Sequence, residues 1–442
     1  MSRGASDRLV DADRLGQPRP APTIPGVRVV LDARPIQTPD RAPLAAAYIE
    51  GLLGAFDADP IEGESFALFL RSDLPDPTTR YRNLQVVGRR LLPPTRILRS
   101  AGMTVDPFLL RGASLGVAWR AERAGAAGAV YHVIGGGPLP IASGLPVVAT
   151  LLDLAPWEMA GIFQQSLAAR FGHRLRAQLL REAAAVVVGT QAVALAARRL
   201  LHIPRDHIRV VPLAARTGFG GRTTKRAERA SAELRAKLGL DERYLIVTGR
   251  FDARLDHGAL LGAIATLGAR PRPRGLDPAI AWPPQVLLAG ASPDDRASIA
   301  RAAQRHGVGE SLIYAPALST EALAGLVRSA RAAVLPVLSE AAGLPVVEAL
   351  AAGTPVVASA VGALPELVGR AGLLVEPRDP ERLATALATI WAEDTVHDRI
   401  VAAARETARG HRRTWADVAS ETRAIYAEVG VPAAVDEAGR TG

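Results

Sequence analysis

The run LPVLSEAAGLPVVEALAAGTPVVASAVGALPELVGRAGLLVEP, residues 335–377, spells a strand, a loop, a helix and two more strands in succession. An apolar strand over 332–336 leaves a sheet into a loop carrying Glu340 and Gly343. Pro345 stands at the head of a helix, where its missing N–H costs nothing, and Gly353 follows its end as a left-handed cap. The open start of this helix, fronted by glycine, offers amides and the positive end of the helix dipole, a setting that suits an anion. Glu348, on the first turn, cannot itself receive a phosphate. An acceptor there suits hydroxyls, such as those of a ribose beside the phosphates.

The same alternation extends over most of the chain. Short β-branched runs at 27–33, 66–71, 84–88, 129–134, 147–154, 184–188 and 208–212 are separated by longer Ala/Leu/Arg stretches of helical period. A second set follows at 244–249, 285–290, 311–314, 332–336, 355–359 and 372–375. Runs without polar alternation fit parallel strands covered on both faces. The fold class is therefore α/β, with two doubly wound Rossmann-like domains facing across a cleft. Residues 1–25 form a proline-rich disordered arm and 26–215 the first domain. A linker over 216–240 begins with 216–229, rich in Gly, Arg and Thr with almost nothing to bury, and continues into a helix over 230–238. Residues 241–411 form the second domain, a helix over 412–428 crosses back onto the first, and 429–442 is a frayed tail. Residues 271–284 (PRPRGLDPAIAWPP) are a surface insertion.

Composition narrows the function. At 48% apolar residues the 442-residue chain can bury two cores, and the absence of cysteine excludes disulfides and thiolate chemistry. Net charge is +9, and Lys225 and Lys237 are the only lysines among 53 basic residues. The arginines are scattered and aromatics make up 4%, which points away from nucleic acid. A mild preference for anionic ligands, or for peripheral contact with an anionic membrane, fits the balance. The start of the chain lacks a signal-peptide core and the uncharged run 124–152 is broken by Gly135–Gly137 and several prolines, so a soluble, cytoplasmic protein is expected. The eight histidines show no metal-ligand spacing, and no Gly-x-Gly-x-x-Gly or P-loop occurs.

Segment 335–377 resembles the donor-binding signature of the retaining GT-B glycosyltransferases of family 4, the glycosyl transferases group 1 type. Its mark is two glutamates eight positions apart, matched by Glu340 and Glu348. Between them stand Gly343-Leu344-Pro345, and Ala363-Leu364-Pro365-Glu366 comes after. The resemblance implies a nucleotide-diphosphate sugar as donor, transfer without metal, and no cofactor. By the same resemblance Glu340 faces the donor sugar, Glu348 the nucleotide ribose, and the amides of Gly343 and Leu344 the sugar or diphosphate. Thr248-Gly249-Arg250 matches the family's Gly-Arg, which places Arg250 on the diphosphate. The family's lysine five positions on is here Leu255, and the adjacent Arg254 is either its substitute or a solvated loop charge.

The first domain is similar to the family more weakly. Val29–Pro35 is like its opening strand, but 38–43 replaces the usual glycine-rich loop, Leu152-Asp153 stands for His-Asp, and Leu213-Ala214 for Asn-Gly. Asp153 either orients an acceptor hydroxyl or caps a loop or helix. His132 is either a structural imidazole or a sugar contact. The expected activity is transfer of a hexose-type sugar, with retention, to a polysaccharide, lipid-linked or small-molecule acceptor. The alternative is a catalytically impaired nucleotide-sugar-binding or partner protein of the same fold; a sugar-nucleotide epimerase is a third reading, disfavoured by the Glu340 segment. Gly112-Ala113-Ser114-Leu115-Gly116 also spells the nucleophile elbow of α/β-hydrolases, but Pro107 stands just before its expected strand and the linker divides the hydrolase sheet.

Overall fold

The computed structural model describes residues 26–92, 128–141, 144–221, 223–410 and 413–430. The N-terminal arm, the 112–116 elbow and the tail beyond 430 lie outside the described residues.

Seven parallel strands form the first sheet: β1 (Arg28–Asp32), β2 (Ser65–Arg71), β3 (Val86–Leu92), β4 (Ala129–Ile134), β5 (Val147–Thr150), β6 (Ala185–Val188) and β7 (Ile208–Val210). Their order is β3-β2-β1-β4-β5-β6-β7. Six parallel strands form the second: β8 (Leu245–Val247), β9 (Val286–Ala289), β10 (Leu312–Ala315), β11 (Ala332–Leu335), β12 (Val356–Ser359) and β13 (Gly372–Val375), ordered β10-β9-β8-β11-β12-β13. Both are doubly wound, with the order reversing between β1 and β4 and between β8 and β11. Ligands of open α/β sheets bind outside the strand carboxyl ends at such reversals. In this chain those ends carry Asp32 and Gly135 on one side, Arg250 and Glu340 on the other.

Each sheet is buried because its strands are apolar on both faces; β4, β6, β9, β11 and β12 have no exposed residue. Strand β3 departs from the sequence expectation, running from Val86 to Leu92 rather than over 84–88. It is an edge strand, paired only to β2, so Arg89 and Arg90 can stand in solvent inside it. Read alone, those arginines look like a loop.

The stretch 216–240 also departs from expectation. Phe219 is fully buried in the second core, and Lys225–Leu238 is a helix capped by Thr224 and ended by Gly239 in the left-handed region. Ser231 on that helix packs against Gly325 of helix Thr320–Ser329, so this segment belongs to the second domain. Its polarity misleads because the helix buries one narrow face.

Helix Trp415–Gly430 packs on the first domain, with Val418, Ala419, Ile425 and Tyr426 in the core that holds Val29, Phe56 and Val130. Gly51 makes room for it, since a Cβ there would lie 2.3 Å from the Trp415 ring. Arg423 pairs with Glu64 at 2.8 Å, both nearly buried. Among the described residues no helix is long and apolar enough to cross a membrane.

Candidate active site in the interdomain cleft

A cleft of about 1470 Å³ opens where the two sets of carboxyl ends meet. That exceeds the ~300–1,000 Å³ of an ordinary single-ligand pocket. Its lining includes Asp153, Arg216, Arg250, Arg254, Glu340, Leu344 and Glu348.

The second sheet supplies one wall of this cleft. After β11 the chain is held by Leu255 bridging Val337 and by the Ser359 hydroxyl, which accepts from the Val337 N–H at 2.9 Å. The Oε1 of Glu340 accepts from the amides of Ala342 at 3.0 Å and Gly343 at 2.8 Å. This corrects the expectation that the Gly343 amide is open to a diphosphate: a carboxylate three residues upstream reaches it first. Leu344, the first residue of helix Leu344–Ala351, keeps an N–H without an acceptor inside the helix. Gly343 must be glycine, because its φ is 66° and a Cβ would meet Leu367 at 2.2 Å. Gly249 likewise has φ 104° and lies under Pro345, which brings Arg250 to the same helix start.

Glu348 is 3% exposed, and its two oxygens accept from Arg216 Nε at 2.5 Å and Nη2 at 3.0 Å. Burial raises its pKa, and Arg216 opposes the rise. Arg216 reached no expectation because its segment reads as a linker. In the fold it leaves the end of the first domain, stacks 5.5 Å over Phe219 and ties that connection to helix Leu344–Ala351 through Glu348.

Arg254 is not a solvated loop charge. It is 8% exposed, pairs with Asp252 and with Asp153 of the other domain, and lies 4.6 Å over the Phe163 ring. Leu255 turns the opposite way into the second core. So at the site of the missing lysine, the neighbouring arginine takes the cleft and the leucine takes the core. Arg250 stands 4.0 Å from Asp153 and 3.6 Å from Asp252. Asp153 caps the loop, accepting from the Ala155 N–H at 3.0 Å, and its carboxylate also binds Arg254.

His132 is placed otherwise than a sugar contact requires. It is fully buried, with Nδ1 2.6 Å from the Tyr426 hydroxyl and Nε2 2.8 Å from the Thr150 hydroxyl. Desolvation lowers its pKa to about 3. The imidazole is neutral and couples the crossover helix to the sheet; it does not line the cleft. Residues 38–43, in place of a glycine-rich loop, do line it and lead into helix Pro43–Ala58.

Two further links close the cleft. The Ser339 hydroxyl donates to Glu158 at 2.5 Å, and Glu366 accepts from the Gln191 and Ala192 amides at the start of helix Gln191–Leu201.

Burial raises the pKa of Glu340, against the lowering effect of the Gly343 and Ala342 amides. The folded chain thus holds this proton more tightly than the unfolded one. The stability so gained is full below the ordinary value of 4.5 and lost as pH rises through the raised value. Glu340→Gln is expected to gain on wild type in unfolding free energy as pH rises above about 4.5, measured by chemical denaturation. Parallel pH profiles would contradict this.

Residues 242–393 match the family model described as glycosyl transferases group 1. A D-inositol 3-phosphate glycosyltransferase from Nocardioides sp. is 34% identical over 205 residues, 43% of each chain. One from Streptomyces griseus is 34% identical over 202 residues, 44% of this chain and 41% of that one. The match thus spans less than half the length of these curated relatives. Among solved structures, sucrose-phosphate synthase from Thermosynechococcus elongatus superposes with a TM-score of 0.67 at 21% identity, over 91% of this chain and 98% of that one. Anabaena HepE in complex with UDP-glucose gives 0.64 at 15% identity, over 91% and 99%. The two-domain arrangement is the GT-B fold.

Proposed function

We propose that this protein is a glycosyltransferase of family 4 that moves a sugar from a nucleotide-diphosphate donor to an acceptor with retention of anomeric configuration. One observation carries the reading: Arg250, the start of helix Leu344–Ala351, Glu340 and Glu348 converge at the strand-order reversal of the second sheet, inside one cleft. The group 1 match over 242–393 and the UDP-glucose bound by HepE support a nucleotide sugar. Retention rests on the resemblance of the Glu340–Glu348 segment.

In this reading the ribose hydroxyls donate to Glu348, whose carboxylate has lone pairs beyond the two that Arg216 uses. The diphosphate lies at the Leu344 N–H and Arg250, and draws Arg254 away from Asp153. Charge on the departing diphosphate is then met by two guanidinium groups and the helix dipole, without metal or other cofactor. Asp153, released from Arg254, is left to orient the acceptor hydroxyl. Domain closure through Ser339–Glu158 and Glu366 excludes water.

The protein works on the cytoplasmic side and touches an anionic membrane through helix Leu167–Glu182, where Leu167 and Phe171 are 80% and 55% exposed beside Arg170 and Arg174. The acceptor belongs to the polysaccharide, lipid-linked or small-molecule class. Incubation with a panel of nucleotide sugars and proton NMR of the products tests the reading. Release of nucleoside diphosphate with a new glycosidic bond of the donor's anomeric configuration is expected. Inverted product overturns retention, and tight binding without turnover favours the impaired relative.

A further inference from the structure

We infer that the two domains are clasped together before any substrate arrives, with Glu366 fixing their relative orientation; only its effect on turnover rests on the glycosyl-transfer reading. Hydrophobic clusters normally stop at a domain boundary. Two of them cross it here. Ala342 and Leu344 of the second domain belong to one core with Val187, Leu213 and Ala214 of the first. Ala341 and Ala363 belong to another with Val186 and Val188, on the opposite face of the first sheet. The second domain thus holds the carboxyl ends of β6 and β7 from both sides. Ala214, Ala342 and Ala363 are 1%, 2% and 0% exposed, so separating the domains would put apolar side chains in water. Relative motion is the default between domains that meet through small or polar contacts, and an apolar seam continuous with both cores removes that default.

Polar ties back the seam. The two oxygens of Glu366 accept from the Gln191 N–H at 3.1 Å and the Ala192 N–H at 2.9 Å. The Thr190 hydroxyl accepts from the Val193 N–H at 3.2 Å. The first three amides of helix Gln191–Leu201 are therefore all satisfied, two of them from the other domain. The carboxylate also meets the positive end of that helix dipole, which favours the docked arrangement over the parted one. The two chain crossings between the domains are bonded to each other. Trp415 Nε1 donates to the Ala215 carbonyl at 3.1 Å, and Arg413 Nε to the Pro212 carbonyl at 2.5 Å. Glu366 does not line the cleft, so it is a positioning residue: it sets the first domain against the donor wall without touching substrate. A nucleotide then enters a standing cleft and moves Arg254, not a domain.

The chain has no cysteine, so Glu62→Cys and Glu310→Cys together introduce the only two sites for spin labels. Both residues are exposed and precede β2 and β10, at the outer poles of the two domains. The distance between the labels is measured by double electron–electron resonance, without ligand and with saturating UDP or GDP. One narrow distribution at the separation in this structure is expected, unchanged by either nucleotide. Glu366→Arg, which sets a cation against the helix start, should broaden and shift it with no ligand present. Glu366→Gln, which keeps one acceptor oxygen, should restore most of the narrow distribution. In turnover, Glu366→Arg should lower kcat ~10-fold, as misplacement of reacting groups does, and raise the share of donor lost to water. Its affinity for the nucleoside diphosphate should stay within twofold of wild type, and thermal unfolding checks that it folds. The inference is overturned if UDP or GDP moves the distance, if the unliganded protein is more open than this structure, or if Glu366→Arg leaves the distance unchanged. A shifted distance with wild-type kcat removes Glu366 as a positioning residue. Failure of both nucleotides to bind sinks the donor reading instead, and the unliganded distances then decide the clasp alone.

Discussion

Glu348→Ala is expected to weaken nucleoside-diphosphate binding by about 10- to 100-fold, since hydrogen bonds to a charged acceptor are worth about 1.5–3 kcal/mol. Two effects add. The ribose loses its acceptor, and Arg216 loses the carboxylate that fixes its fork at 2.5 and 3.0 Å. Arg216 has a side chain 29% exposed, so the freed cation reaches water and the folded state suffers less than a fully buried pair would. Glu348→Gln keeps the shape and one acceptor oxygen but not the charge, and should fall between the two. Calorimetry with each variant, and thermal unfolding without ligand, separates a lost contact from a lost fold. Affinity within threefold of wild type for the alanine variant would remove Glu348 from the donor site.

Arg254→Ala is expected to lower kcat by about 10²–10³, the scale seen when one preorganised donor to a developing anion is removed. The geometry makes the effect specific. Arg254 is held by Asp153 and Asp252 and stacked on Phe163, so its guanidinium is positioned before substrate arrives. In the proposed cycle the diphosphate and Asp153 compete for it, which links donor arrival to release of the acceptor-orienting carboxylate. Arg254→Lys should recover part of the rate, since a lysine is the residue that the family pattern places one position later. Asp153→Asn should lower kcat while tightening donor binding, since the charge that competes with the diphosphate for Arg254 is removed. An Arg254→Ala enzyme with wild-type kcat would show that the cleft-facing arginine is a structural strut between domains.

The parts of this architecture legible in the chain were those set by local pattern. Strands buried on both faces must be apolar throughout, which exposes β4, β9 or β12 to a reading of one residue after another. The glycines at 249 and 343 and the proline at 345 mark the donor loop because backbone geometry there tolerates little else. What stayed hidden is pairing across distance. Arg216 and Glu348 are 132 positions apart, Arg254 and Asp153 101, and an arginine-rich composition offers no hint of which guanidinium meets which carboxylate. His132 stayed open between a structural imidazole and a sugar contact for the same reason: its partners, Thr150 and Tyr426, lie 18 and 294 positions away. The edge strand β3 and the first turn of helix Lys225–Leu238, read from the sequence as starting at 230, were obscured by their charges, which solvent exposure permits.

The most direct measurement is a crystal structure with a nucleoside diphosphate bound. The account predicts the ribose hydroxyls within hydrogen-bond distance of Glu348, the phosphates on Arg250 and the Leu344 N–H, and Arg254 moved from Asp153 to the phosphates. A nucleotide seated elsewhere, or one that leaves the Arg254–Asp153 pair intact with Glu348 untouched, would contradict it.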